Sequence, residues 1–269
     1  MSAAAPRIVI DSVSKSFSTP RGERLQVIRD VSLTIRDGEF ISIIGPSGCG
    51  KTTMLNILAG FEKQDSGSVT LDGKPIDGPD AQRGVIFQDY GVFPWLTVRQ
   101  NIGFGLTLRK THSKKEIEET VDHYIGLMGL RGFENAFPKT LSGGMKQRVA
   151  LARSYAVKSQ FLLMDEPFGA LDAQTRSAMH DLLLHALEEE GKTVLLITHS
   201  VDEALYLSSR IVVATARPTR VQRIIDVPFP YPRRPSLHRE PEFAALQHEI
   251  HELVMHEYAQ QQRLQTIPA

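Results

Sequence analysis

The run FISIIGPSGCGKTT, residues 40–53, limits what this chain can fold into more than any other stretch. A β-branched apolar segment leads into a glycine-rich loop, and the loop leads into a helix-forming segment. The spacing G-x-x-x-x-G-K-[ST] runs from Gly45 to Thr52. It works only between a strand and a helix, which predicts an α/β core. Gly45, Gly48 and Gly50 let the backbone curl so that successive N–H groups face one anion. The helix that follows adds its positive end. Pro46, Ser47 and Cys49 fill the variable positions, and Thr53 follows on the helix. Lys51 is placed to reach the β- and γ-phosphates of a nucleotide, and the Thr52 hydroxyl to hold Mg²⁺. A chain of this length meets the pattern by chance about one time in a hundred, and correct flanks make that rarer. Cys49 reads as a small spacer. Its alkylation is expected to block nucleotide binding.

Other apolar β-branched runs alternate with helical patterns. RIVIDSV (7–13), GSVTL (67–71), GVIF (84–87), FLLMD (161–165), TVLLIT (193–198) and RIVVA (210–214) read as strands. FLLMD and TVLLIT lack polar alternation, as strands buried on both faces do. Between Val98 and Lys158 the pattern is mostly helical, which predicts an inserted helical subdomain at about 92–158. The proline- and arginine-rich stretch 227–241 reads as an extended linker. It leads to a last helix with Phe243, Leu246, Ile250 and Leu253 on one stripe. The expected division is therefore 7–226 for the catalytic domain and 227–269 for a linker and helix. His248, His251 and His256 show no closed metal-ligand spacing.

The bulk of the sequence removes several function classes. With 31 basic and 31 acidic residues the formal charge is zero, which removes the electrostatic footprint of nucleic-acid binding. One cysteine excludes an internal disulfide and fits a reducing compartment. No apolar run approaches the ~18 residues of a spanning helix. The start, MSAAAPRIVIDSV, lacks the features of a signal peptide. The expectation is a cytosolic chain that meets a membrane only through a partner.

Two acids close the strand FLLMDE. Asp165 at the strand end can approach Mg²⁺, and Glu166, one residue on, can orient and activate an attacking water. TLSGGMKQRVALARS (140–154) adds a second anion site. Ser142, Gly143 and Gly144 open a helix whose Val149, Ala150 and Ala152 face inward. One nucleotide needs one phosphate loop, so a second phosphate-binding helix start needs another explanation.

Here the chain resembles the ATP-binding-cassette family, whose signature reads LSGGQ. The resemblance covers roughly Ile8 to Arg220, with the motifs in family order. It implies a P-loop NTPase core with an N-terminal antiparallel β subdomain and an inserted α-helical subdomain. It implies ATP and Mg²⁺ as ligands. It also implies a head-to-tail homodimer, in which the signature of one copy closes over the ATP held by the other. Phe17 matches the aromatic that stacks on adenine. Gln88 matches the glutamine that senses Mg²⁺ and the γ-phosphate. Asp172, in Ala170-Leu171-Asp172, matches the loop that communicates across the dimer. His199 matches the switch histidine at the γ-phosphate. Taken alone, Phe17 could be core, His199 a capped strand end and Asp172 a helix N-cap. Ser200 and Glu203 form an S-x-x-E capping box behind His199. Met145 departs from the signature glutamine and is left out of the ligand set.

One cassette without membrane spans resembles the separate ATPase subunit of an importer. That implies a peripheral place on the cytoplasmic face of the membrane and a transmembrane permease subunit as partner. An extracytoplasmic solute-binding protein is implied indirectly. FQDYGVFPWLTVRQNIGFGL, HSVDEALYLSSRIVV and the tail look like the nitrate/sulfonate/taurine group. Aromatic-sulfonate and pyrimidine-precursor importers look similar in these stretches. The apolar, proline-broken segment after Gln88 then becomes a docking surface, with Tyr90, Phe93, Trp95 and Leu96 on the rim or floor of a cleft. Trp95 fits a core position equally well. The alternatives are a cassette ATPase doing mechanical work on another macromolecule, and an ATP-dependent regulatory switch. An intact Glu166 and His199 speak against the switch.

Overall fold

The computed structural model describes residues 6–20, 22–109 and 111–265. The chain begins with β1 (Pro6–Ser18), β2 (Arg24–Arg36), β3 (Phe40–Ile44) and α1 (Lys51–Ala59). It continues through β4 (Ser66–Leu71), β5 (Lys74–Pro75), β6 (Arg83–Ile86), α2 (Val98–Arg109) and α3 (Lys114–Leu127). Then come α4 (Gly143–Ala156), β7 (Phe161–Asp165), α5 (Ala173–Glu190), β8 (Thr193–Thr198) and α6 (Val201–Leu207). The last elements are β9 (Arg210–Ala214), β10 (Val221–Asp226) and α7 (Pro241–Gln265). Two compact units result. One combines residues up to Asp80 with those from Thr193 onward, and the other is Ala81–Lys192.

The first unit holds an antiparallel sheet in the order β2-β1-β4-β5. β2 alternates strictly at its end: Val31, Leu33 and Ile35 are buried, while Ser32, Thr34 and Arg36 are exposed. Ile10 pairs with Leu33 and Val69, so one face of three strands is apolar. Burying each such side chain contributes roughly 1.5–3 kcal/mol. A second sheet of this unit runs β10-β9-β3-β8, with β3 parallel to both β8 and β9. β3, β8 and β9 are buried at every residue, which explains their lack of polar alternation. β10 is an antiparallel edge strand with mostly exposed residues. β2, β5 and β10 are strands beyond those expected from the apolar runs.

The proline-rich stretch 227–241 has little regular structure but is tightly held. Arg233 is buried and donates to the carbonyls of Leu205 and Tyr206 at 2.9 and 2.8 Å. The Tyr231 hydroxyl donates to the Leu207 carbonyl. These are the carbonyls that a helix leaves unpaired at its end, so the strap caps α6. α7 follows, with Phe243, Ile250 and Val254 buried and Leu246 and Leu253 half-buried, as the stripe predicted. The last four residues of the expected C-terminal segment, 266–269, lie outside the described residues.

The second unit carries the parallel pair β6–β7, with Ile86 opposite Met164. α2, α3 and α4 follow one another between these strands, as the helical reading of that region expected. α3 begins with a full capping box, Ser113 with Glu116. At Ser200 only the Ser200 half of the predicted box is seen: its hydroxyl accepts from the Glu203 N–H at 3.2 Å. The Glu203 carboxylate accepts instead from the Thr198 hydroxyl at 2.6 Å, and Thr198 in turn accepts from the Ser200 N–H.

Candidate functional site

In the first unit the strand β3 ends at Ile44, opposite Thr198 of β8. Gly45 and His199 therefore leave adjacent parallel strands at their carboxyl ends, where open α/β sheets bind ligands. A Cβ on Gly45 would stand 2.8 Å from the Ala214 carbonyl, so only glycine fits beside β9. Gly50 has φ +131°, and a Cβ there would lie 2.7 Å from the Thr219 hydroxyl. It opens α1 without a side-chain cap and with no acid in the first turn. The helix start thus keeps its N–H groups and positive end for an anion. Lys51 is buried, and its ammonium donates to the Gly45 and Pro46 carbonyls at 2.8 and 2.9 Å. Thr52 is exposed and Thr53 half-buried. Ser47 and Gly48 form the exposed crest of the loop.

The Cys49 side chain is fully enclosed. Burial slows a reagent's access to this thiol, so the expected block of nucleotide binding follows only once the loop opens to admit it. His199 is exposed, and the turn behind it is tied by the Thr198, Ser200 and Glu203 bonds. Phe17 is 38% exposed, so it is not core. The Lys15 ammonium sits 5.1 Å from its ring centroid. Burial works against the Lys15 charge, but Glu62 and Asp65 outweigh it and raise its pKa.

The second unit gathers Gln88, Asp165 and Glu166 at the carboxyl ends of β6 and β7. Gln88 is exposed, Asp165 is 9% exposed and Glu166 half-buried. Glu166 has φ +45°, the left-handed region that a non-glycine residue adopts at a cost of about 1 kcal/mol or more. Strain at the proposed water-activating residue fits a side chain whose direction is fixed by its backbone. Ser142 caps α4 by accepting from the Met145 N–H, with no acid in the first turn. A Cβ on Gly144 would lie 2.5 Å from the Thr175 methyl, so this glycine permits α4 and α5 to approach closely. Asp172 is the N-cap of α5 and accepts from the N–H groups of Gln174 and Thr175. The Thr175 bonds lead in holding its carboxyl below the usual range.

The four expected docking residues divide. Trp95 is 69% exposed, which removes the core reading. Leu96 lines a cleft of about 760 Å³ between α2 and α3, together with Phe104, Ile117 and Val121. Phe93 is a platform, with Phe104 at 4.6 Å, Trp95 at 5.6 Å and the Arg153 guanidinium at 5.0 Å. Tyr90 is a correction: it is buried and offers a partner almost no surface.

The loop owes its shape to Asn101, which sequence reading missed. Asn101 is fully buried, accepts from the Phe93 N–H and donates to the carbonyls of Phe93, Leu96 and Thr97. Asn101→Leu is expected to lower stability by about 2–3 kcal/mol, because several loop groups lose one shared partner. Urea unfolding of the variant checks this.

Residues 28–169 match the family described as ABC transporter. An ATP-binding protein of Brucella abortus is 52% identical over 86% of this chain and 88% of its own. A taurine import ATP-binding protein of Roseobacter denitrificans is 48% identical over 82% of each chain. A nitrate import ATP-binding protein of Synechococcus elongatus is 43% identical over 93% of this chain and 92% of its own. Among solved structures, a dimeric ATP-binding cassette in a post-hydrolysis state, bound to ADP and Pi, superposes with a TM-score of 0.73. It is 32% identical and covers 82% of this chain and 99% of its own.

Proposed function

Because this chain belongs to the ABC transporter family, we propose that its ATP hydrolysis powers import of a small anionic or zwitterionic solute. Nitrate and taurine are the solutes in the names of its relatives. The observation that carries the ATPase reading is the uncapped start of α1 behind a glycine loop, with a buried lysine at its first position.

In this reading the loop N–H groups hold the phosphates, and Lys51 leaves the Gly45 and Pro46 carbonyls for the β- and γ-phosphates. Phe17 offers its exposed face to adenine. The family resemblance assigns Mg²⁺ to the Thr52 hydroxyl and the Asp165 carboxylate, hard oxygen donors that would hold it, with Gln88 as its sensor. Bound there, the ion would offset negative charge on the phosphate oxygens. Glu166 orients a water and accepts its proton as the oxygen attacks the γ-phosphorus. The bond to the bridging oxygen breaks, and ADP and phosphate leave. His199 contacts the γ-phosphate. Ser142, Gly143 and Gly144 of a second copy close over the same nucleotide, and Asp172 communicates between the copies. That arrangement accounts for a second anion-binding helix start in a chain with one phosphate loop.

No helix among the described residues is long and apolar enough to cross a membrane. The importer reading gives this chain a separate transmembrane permease as its proposed partner, by analogy with the importer relatives, with the chain peripheral on the cytoplasmic face and a solute-binding protein beyond the membrane. Trp95, Phe93 and Leu96 are the proposed contact with that permease. Radiolabelled taurine and nitrate uptake in a strain lacking this chain tests the solute class. Uptake of one of them should fall and return with the native chain. Unchanged uptake of both overturns the assignment.

A further inference from the structure

Five consecutive carbonyls of the phosphate loop have hydrogen-bond donors. Those of Gly45 and Pro46 are held by Lys51. The next three are held from much later in the chain. Gln261 of α7 donates its amide to the Ser47 carbonyl at 2.8 Å. Arg217 donates through Nε and Nη2 to the Gly48 carbonyl. The Thr219 hydroxyl donates to the Cys49 carbonyl. The turn carrying Arg217 and Thr219 is itself fixed. The Ala216 N–H donates to the buried Glu257 carboxylate of α7 at 2.7 Å. Thr219 exchanges backbone bonds with Val27 and Arg29 of β2 at 2.8 and 3.0 Å.

A trans peptide plane points its carbonyl and the next N–H in opposite directions. Fixing the carbonyls of Ser47, Gly48 and Cys49 therefore fixes the N–H directions of Gly48, Cys49 and Gly50. These are the donors that a phosphate loop turns toward its anion. Gly48 and Gly50 both have positive φ, at +72° and +131°. Within the loop, Lys51 holds the first two carbonyls and the Cys49 N–H donates to the Pro46 carbonyl at 3.3 Å; the carbonyls of Ser47, Gly48 and Cys49 are held by side chains outside it.

We propose that α7 is a positioning element for the phosphate loop, acting directly through Gln261 on Ser47 and indirectly through Glu257 on the turn that holds Gly48 and Cys49. Its consequence for nucleotide affinity rests on the ATP reading above; its consequence for loop order does not. The buried stripe of α7 supports the role. Its apolar anchors at Phe243, Ile250 and Val254 give way to Glu257 and then Gln261, which face inward at the same helical spacing.

The test compares Gln261→Ala, Gln261→Lys and Gln260→Ala in the full chain. Among the described residues Gln260 bonds within α7, to His256, so its variant is the control. Two quantities are read: amide hydrogen exchange at residues 48–50 without nucleotide, and the dissociation constants of ATP and ADP. Gln261→Ala should speed exchange at those amides and weaken both nucleotides about threefold to tenfold, the loss of one loop hydrogen bond. Gln261→Lys keeps a donor and should recover most of both. Gln260→Ala should match the native chain, and melting temperatures without nucleotide should agree throughout. Unchanged exchange and affinity in Gln261→Ala overturn the proposal. Faster exchange in a chain that binds no nucleotide would leave the positioning role standing and overturn the ATP reading instead.

Discussion

Glu166→Gln binds ATP as the native chain does and hydrolyses it at least ~100-fold more slowly, the scale of a lost general base. The substitution keeps the size and shape of the side chain and removes only its basicity. The left-handed backbone at Glu166 makes the choice of variant matter. Glutamine tolerates that conformation about as well as glutamate, so stability should not change and the rate effect is chemical. With hydrolysis stopped, ATP should hold two copies together, each signature helix on the other's nucleotide. Single-turnover hydrolysis and light scattering with ATP check the two halves of the expectation. Near-native turnover would remove Glu166 from the role of base. A monomer in saturating ATP would remove the shared-nucleotide dimer.

Lys51→Met loses ATP affinity by about a hundredfold, the equivalent of two charge-assisted hydrogen bonds of roughly 1.5 kcal/mol each. The same substitution should hardly move the melting temperature without nucleotide. The ammonium is buried against two carbonyls of its own loop, so its removal relieves a desolvated charge and takes a donor from those carbonyls, two effects of opposite sign; the Pro46 carbonyl keeps the Cys49 N–H as a donor at 3.3 Å. Methionine fills the same volume. Equilibrium binding of a fluorescent ATP analogue and thermal unfolding separate the effects. A large fall in melting temperature with intact affinity would make Lys51 a structural residue and contradict the phosphate role.

The parts of the site that could be read from sequence share one property: each is local. The phosphate loop, the acid pair after FLLMD and the Ser-Gly-Gly helix start are all strand-end or helix-end motifs, where a few adjacent residues fix both backbone and chemistry. Strands β3, β7, β8 and β9 were legible because burial on every side leaves an unbroken apolar run. The alternation at the end of β2 was present and passed over, because the preceding RLQVIRD blurs it. Arg217, Thr219 and Gln261 were not legible. Each is a single polar residue about 170 or more positions from the carbonyl it holds, with no periodicity to announce it. Asn101 was hidden in the same way within a helix. The docking segment shows the limit for aromatics: composition alone could not separate exposed Trp95 from buried Tyr90.

If ATP hydrolysis by this chain is coupled to a membrane partner, the tagged chain purified from membranes should show it, with its ATPase measured with and without the multi-span subunit that accompanies it. Two copies are expected to co-purify with such a subunit, which stimulates hydrolysis several-fold. Trp95→Ala should keep the basal rate and lose the stimulation. A chain that recovers no multi-span subunit and hydrolyses ATP at the same rate in membranes and in buffer would contradict that coupling.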